Sequence, residues 1–159
     1  MFRGLIFLSL SLSANICACQ NLQPSIWEVQ YSKSNFIKND TITLYLIGKI
    51  PENQGVYSTK FNCAFGPQKT KLHFKNSGKD FLLIDSAISI GDSMVFDDIF
   101  ECNLRKFKTI AVIKQVLLIK NTQTQISGFL EYQTCNNDQC LKYLFNFKTK
   151  GSKVIKLKN

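Results

Sequence analysis

A chain of 159 residues, 45% hydrophobic and 19% charged, is long enough for one domain with a real core and too apolar for disorder. Its formal net charge of +9 raises nucleic acid as a partner. The lysines are scattered rather than clustered and follow an export signal. They read instead as solvated faces, or as an attraction to anionic lipid or a negatively charged partner.

Residues 1–19 predict a secretory signal peptide. Met1-Phe2-Arg3 carries one positive charge, residues 4–12 form a short apolar stretch, and Ser13 to Cys19 supplies small residues before Gln20. The apolar stretch is too short to span a bilayer, and no other run approaches that length, so no transmembrane segment is expected. Cleavage after Cys19 fits this pattern. Ile16-Cys17-Ala18-Cys19 also loosely resembles a bacterial lipobox, which would make Cys19 the lipidated first residue and anchor the protein.

The remaining chain predicts one domain, residues 24–149, made of short strands. Trp27 to Tyr31 alternates, and Asn39-Asp40 marks a turn. Thr41 to Ile50 is a long β-branched strand ended by Pro51. Gly55 to Ser58 is short, and Lys71 to Lys75 alternates before Asn76-Ser77-Gly78. Residues 81–84, 87–90, 94–96, 107–113 and 116–119 are further apolar runs, and 126–134 with 141–147 completes the set. No window holds a helical apolar period. The spacing predicts an all-β antiparallel sandwich with Trp27, Leu44, Leu46, Phe74, Leu130 and Phe145 in its core. Residues 150–159 form a lysine-rich tail expected to fray.

The last two runs flank Asn136-Asn137-Asp138-Gln139, with Cys135 and Cys140 at the mouth. Asn and Asp favour turns because their side chains bond nearby backbone. A hairpin brings facing Cα atoms to roughly 4.5–5.5 Å, within disulfide range. Export places the cysteines in an oxidising compartment, where disulfides persist. A Cys135–Cys140 bridge closes so short a loop that it would add only about 2 kcal/mol as a staple, against about 4.7 for a hundred-residue loop. Nothing between the two cysteines lowers a thiolate's pKa, and Asp138 raises it. The pair reads either as a staple or as a disulfide attacked by a partner thiol. Cys63 and Cys102 either form a second, structural bridge or stay buried and free.

Other chemistry finds little footing. His73 and four cysteines are the metal candidates, but the spacing suits no zinc site, so no metal and no cofactor are expected. His73 sits mid-strand, as a solvent-face residue does. There is no nucleophile–base pair and no nucleotide fingerprint.

Several segments resemble the N-terminal domain of the thiol:disulfide interchange protein DsbD, the disulfide bond corrector family. Pro24-Ser25-Ile26-Trp27 resembles its Pro-x-x-Trp opening, and Gly55-Val56-Tyr57-Ser58 resembles a Gly-Trp-x-x-Tyr-Ser segment without the Trp. Gly66-Pro67 with Leu72-His73-Phe74 resembles its Gly-Pro loop and following strand. Asp97-Asp98-Ile99-Phe100 resembles an acidic-aromatic segment. Tyr132-Gln133-Thr134-Cys135 through Cys140-Leu141 is the most specific, although Lys142-Tyr143 stands where that family has Pro-Pro.

The resemblance implies an immunoglobulin-like sandwich in the periplasm. It implies that Cys135 and Cys140 pass reducing equivalents from a thioredoxin-like or membrane thiol:disulfide reductase to exported client proteins. It maps Phe100 to the tip of a cap loop, Asp98 to the acidic residue before it, and Tyr57 to an aromatic beside the pair. The plain alternative makes Phe100 and Tyr57 core aromatics. The second cysteine of the family bonds the partner, which corresponds to Cys140. Against this stands another class of function, a secreted interaction domain whose hairpin bridge is inert.

Overall fold

The computed structural model describes residues 22–98, 100–121, 125–151, 153 and 154. The expected leader and Cys19 lie outside the described residues, as do residues 155–159 of the tail. The described chain is all-β: β1 (Ile26–Tyr31), β2 (Thr41–Lys49), β3 (Gly55–Tyr57), β4 (Lys71–Phe74), β5 (Phe81–Ile90), β6 (Ser93–Asp97), β7 (Cys102–Phe107), β8 (Ile110–Ile119), β9 (Gln125–Cys135), β10 (Cys140–Lys150) and β11 (Lys153–Val154).

Two antiparallel sheets pack as a sandwich. One has the order β1-β2-β8-β5, the other β11-β10-β9-β3-β7-β6. The sheets close on a core of inward residues at every second position: Ile42, Leu44 and Leu46 of β2, Ala111, Ile113 and Leu117 of β8, and Ile126, Leu130 and Tyr132 of β9. Aromatic side chains span the gap. Trp27 meets Tyr132 edge-on at 5.2 Å and stacks on Phe145 at 6.4 Å. The Tyr31 hydroxyl hydrogen-bonds Thr149 Oγ1 across the sandwich at 2.8 Å. Of the expected core, Trp27, Leu44, Leu46 and Leu130 are buried, and Phe74 and Phe145 pack against the cluster partly exposed.

Three elements differ from the sequence reading. Residues 81–90 form one strand, not two: Asp85, at φ 58°, lies in a bulge between Ile84 and Ile88. The buried Gln115 fills it, its Nε2 donating to the carbonyls of Ile84 and Asp85. Residues 107–113 are not one strand, because the chain turns after Phe107 and Cys102–Phe107 is a separate strand. Lys153 and Val154 are not frayed but pair with Thr149 and Lys150 of β10.

β3 and β4 lie end to end along the same side of β9. Gly55 pairs with Cys135 and Phe74 with Gly128. The chain between them leaves the sheet, and its base is closed by Thr70 N–H donating to Ser58 O at 3.1 Å and Thr70 Oγ1 to Tyr57 O at 2.5 Å. This loop folds over the outer face of the larger sheet, away from the core. Gln68 holds it there, its N–H donating to Gln133 Oε1 at 2.7 Å and its Nε2 to Glu131 Oε1 at 2.5 Å.

Candidate functional site

Side chains alternate across a strand, so each strand of the larger sheet has two roles. On β9, Ile126, Leu130 and Tyr132 enter the main core, and Cys135 points to the other side. On β3, Val56 is in the core, while Tyr57 joins a separate buried cluster with Phe61, Leu104 and Cys135. Cys63, Val95, Phe100 and Cys102 pack against that second cluster. It is a small apolar layer on the back of the sheet, roofed by the Ser58–Thr70 loop and the turn between β6 and β7.

Two disulfides occupy this layer. Cys135 and Cys140 face each other in the β9–β10 register with Cα atoms 4.1 Å apart. The loop beyond them is closed by Asn136 N–H donating to Gln139 O at 3.1 Å, so Cys135–Cys140 is the next, non-hydrogen-bonded pair, where facing residues come closest. Asn136 Oδ1 accepts from the N–H groups of Asp138 and Gln139 at 3.0 and 2.9 Å, the side-chain-to-backbone bonding expected of Asn in a turn. The second bridge joins Cys63, in the roofing loop, to Cys102, the first residue of β7. Loop-closure entropy assigns about 4 kcal/mol to this 39-residue separation and about 2 to the 5-residue one.

The two sulfurs of the hairpin bridge are unequal. Cys135 is only 9% exposed and belongs to the buried cluster, whereas Cys140 is exposed. Both line a cleft of about 830 Å³, whose other walls include Gly55, Tyr57, Phe96, Asp98, Phe100, Lys106 and Lys108. A Cβ at Gly55, opposite Cys135, would lie 3.2 Å from the Phe107 carbonyl, which keeps this wall free of a side chain.

Electrostatics on this wall are set by burial and by Asp97. The Tyr57 hydroxyl is pushed up to about 12, chiefly by burial and then by the Asp97 charge, so it stays a neutral donor. Asp97 Oδ1 also accepts from Phe100 N–H at 3.3 Å, shaping the turn that carries Phe100.

The expected site residues are therefore distributed as follows. Cys135, Cys140, Tyr57, Asp98 and Phe100 all line one cleft. Tyr57 is fully buried and Phe100 half-buried, both in the second cluster and not in the main core. Asp98 is exposed, and its neighbour Asp97 interacts with Tyr57 and Phe100. Cys63 and Cys102 are bridged beneath the turn. His73 is half-exposed, stacks on Phe129 at 4.5 Å and lies 3.5 Å from Glu131, with no cysteine partner among these contacts. The sequence reading missed Phe61, Lys106 and Lys108. Lys106 and Lys108 bring positive charge to the cleft; Lys106 lies on β7, the strand that was not recognised, and Lys108 just beyond it.

Among the described residues, no group of three or more His, Cys, Asp or Glu side chains could hold a metal ion, and no helix is long and apolar enough to cross a membrane. No known protein family, curated protein or solved structure matches this chain.

Proposed function

We propose that this chain is an exported thiol–disulfide exchange module. In this reading it acts in the periplasm, as the domain it resembles does, and uses Cys135–Cys140 to relay reducing equivalents from a thioredoxin-like or membrane-bound dithiol protein to exported clients. The observation that carries the reading is the asymmetry of the hairpin bridge: one sulfur-bearing residue is exposed in a cleft and its partner is buried. Exchange requires an incoming thiolate to reach one sulfur while the other leaves.

A donor thiolate attacks Cys140 Sγ, forming a donor–Cys140 disulfide and breaking the Cys140–Cys135 bond. Cys135 leaves as a thiolate and takes up a proton. The donor's second thiol then attacks its own bonded sulfur, releasing Cys140. Two electrons and two protons pass to the domain, and the donor is left as a disulfide. The reverse sequence reduces a client disulfide. Lys106 and Lys108 bring positive charge to the cleft wall, and Asp98 and Asp138 bring negative charge.

Trapping tests this. Cys135→Ser and Cys140→Ser are each loaded with an aromatic thiol on the remaining cysteine and mixed with a thioredoxin-like protein that keeps only its attacking cysteine. Cys135→Ser should give a covalent one-to-one complex about tenfold faster than Cys140→Ser. If neither variant forms a complex, and the native bridge resists a thioredoxin-like reductant, the bridge is inert and the domain is an interaction module.

A further inference from the structure

The second bridge packs beside the first. Cys102 pairs with Asp97 at the mouth of the β6–β7 hairpin, so the turn carrying Phe100 is closed by a residue that is itself cross-linked. Its partner Cys63 lies in the loop that Gln68 fastens to the back of β9. Cys63 Sγ lies 3.9 Å from the Phe100 carbonyl oxygen, a packing contact because a bridged sulfur carries no proton. Cys63, Cys102 and Phe100 all pack on the cluster that contains Cys135. The packing around Cys63 is tight as well: a Cβ on Gly66 would come within 2.8 Å of its sulfur.

We infer that Cys63–Cys102 is a positioning bridge that holds the Phe100 turn against the buried Cys135 side of the Cys135–Cys140 disulfide and thereby sets how fast the pair is reduced. This rests on the exchange reading for its purpose, but not for its physics. Among the described residues, the turn's anchors besides the bridge include the Asp97–Cys102 strand pairing, the Asp97–Phe100 hydrogen bond at 3.3 Å and the apolar contact of one half-buried ring. Cutting the cross-link removes a covalent tie from the turn, and the turn opens more often. Reduction of Cys63–Cys102 by a strong dithiol would have the same effect, so the state of one bridge would govern access to the other.

The experiment measures the rate at which dithiothreitol reduces Cys135–Cys140, followed by alkylation and mass mapping, in four proteins. These are the parent, Cys63→Ala/Cys102→Ala, Phe100→Ala and the triple variant. The bridge-free and Phe100→Ala proteins should each be reduced about fivefold faster than the parent, and the triple variant no faster than either, since both changes act through one turn. A staple without positioning would lower thermal stability and leave the rate unchanged, which would overturn the inference. So would effects that multiply in the triple variant. If the bridge-free protein does not fold, Gly66→Ala serves instead: it displaces Cys63 while keeping the bond, and should also speed reduction. An unchanged rate there would overturn the inference equally. Because dithiothreitol replaces the partner, the inference can fail while the exchange reading stands, and the converse also holds.

Discussion

Cys135 and Cys140 face each other across one strand pair, yet Cys135 is buried under a roof of aromatic side chains and Cys140 is open to solvent. The cause is the position of the pair at the end of the sheet. Cys135 has β3 on its other side, with Gly55 as its partner there. Cys140 begins β10, whose far side, among the described residues, pairs with the short β11 at the distant end.

The two bridges should differ as staples. Cys135→Ala/Cys140→Ala should lower the free energy of unfolding by about 2 kcal/mol, and Cys63→Ala/Cys102→Ala by about 4, as their loop lengths require. Urea titrations of the two variants against the parent measure both. A larger loss for the hairpin pair would show that its bridge is needed for more than loop closure.

At Gly128 two backbones approach closely. A Cβ there would collide with the His73 carbonyl, across the β4–β9 pairing, and would lie 2.9 Å from the Phe147 ring. Gly128→Ala should cost about 3 kcal/mol, because neither the backbone nor a buried ring can move aside. Thermal denaturation checks this, and a shift of only a degree or two would mean that β4 can detach without consequence.

Acid should loosen the turn between β5 and β6. Arg105 grips Asp92 with Nε at 2.6 Å and Nη2 at 3.1 Å, and this holds the Asp92 carboxyl below the usual carboxylate range. A depressed folded-state value means that the contribution is present above the unfolded value, about 4, and is lost as the pH falls through the folded one. Asp92→Asn should therefore be less stable than the parent at pH 7, with the difference shrinking to nothing in acid. A difference that persists at low pH would assign the effect to packing.

Alkali should act through tyrosine. Of the five tyrosines, Tyr31 and Tyr57 are pushed up to about 12, in both cases chiefly by burial. Their folded values lie above the unfolded one, about 10, so the stability they contribute is full below pH 10 and lost as the pH rises towards 12. Burial also raises Tyr132, so absorbance at tyrosinate wavelengths should show Tyr31, Tyr57 and Tyr132 ionising late, and Tyr31→Phe should blunt the alkaline loss of stability.

The hairpin and the placement of its cysteines were legible in the sequence because local signals agreed: an Asn-rich turn, alternation on both sides, and a cysteine at each mouth. β7 was not legible. It buries Leu104 on the back of the sheet and Phe107 in the core, so it lacks the one-sided alternation that marks a half-buried strand. Its exit at Lys108-Thr109 has no Gly, Pro, Asn or Asp to announce a turn. The split of β5 was misread for the opposite reason. Asp85-Ser86 looks like a break, but the strand continues because the buried Gln115 satisfies the bulge carbonyls from the neighbouring strand. The site's second wall depends on β7 and on a long loop, so it became visible only with the fold.

The larger sheet separates two chemistries. Its front holds the sandwich together with aliphatic and aromatic side chains, and its back holds both disulfides, Tyr57 and Phe100. Neighbouring residues such as Thr134 and Cys135 thus belong to different selective regimes. Substitutions on the back can alter the reactivity of the bridge without repacking the front, and those on the front can tune thermal tolerance without touching the cleft. A lineage carrying this sheet could drift in redox behaviour while keeping its architecture.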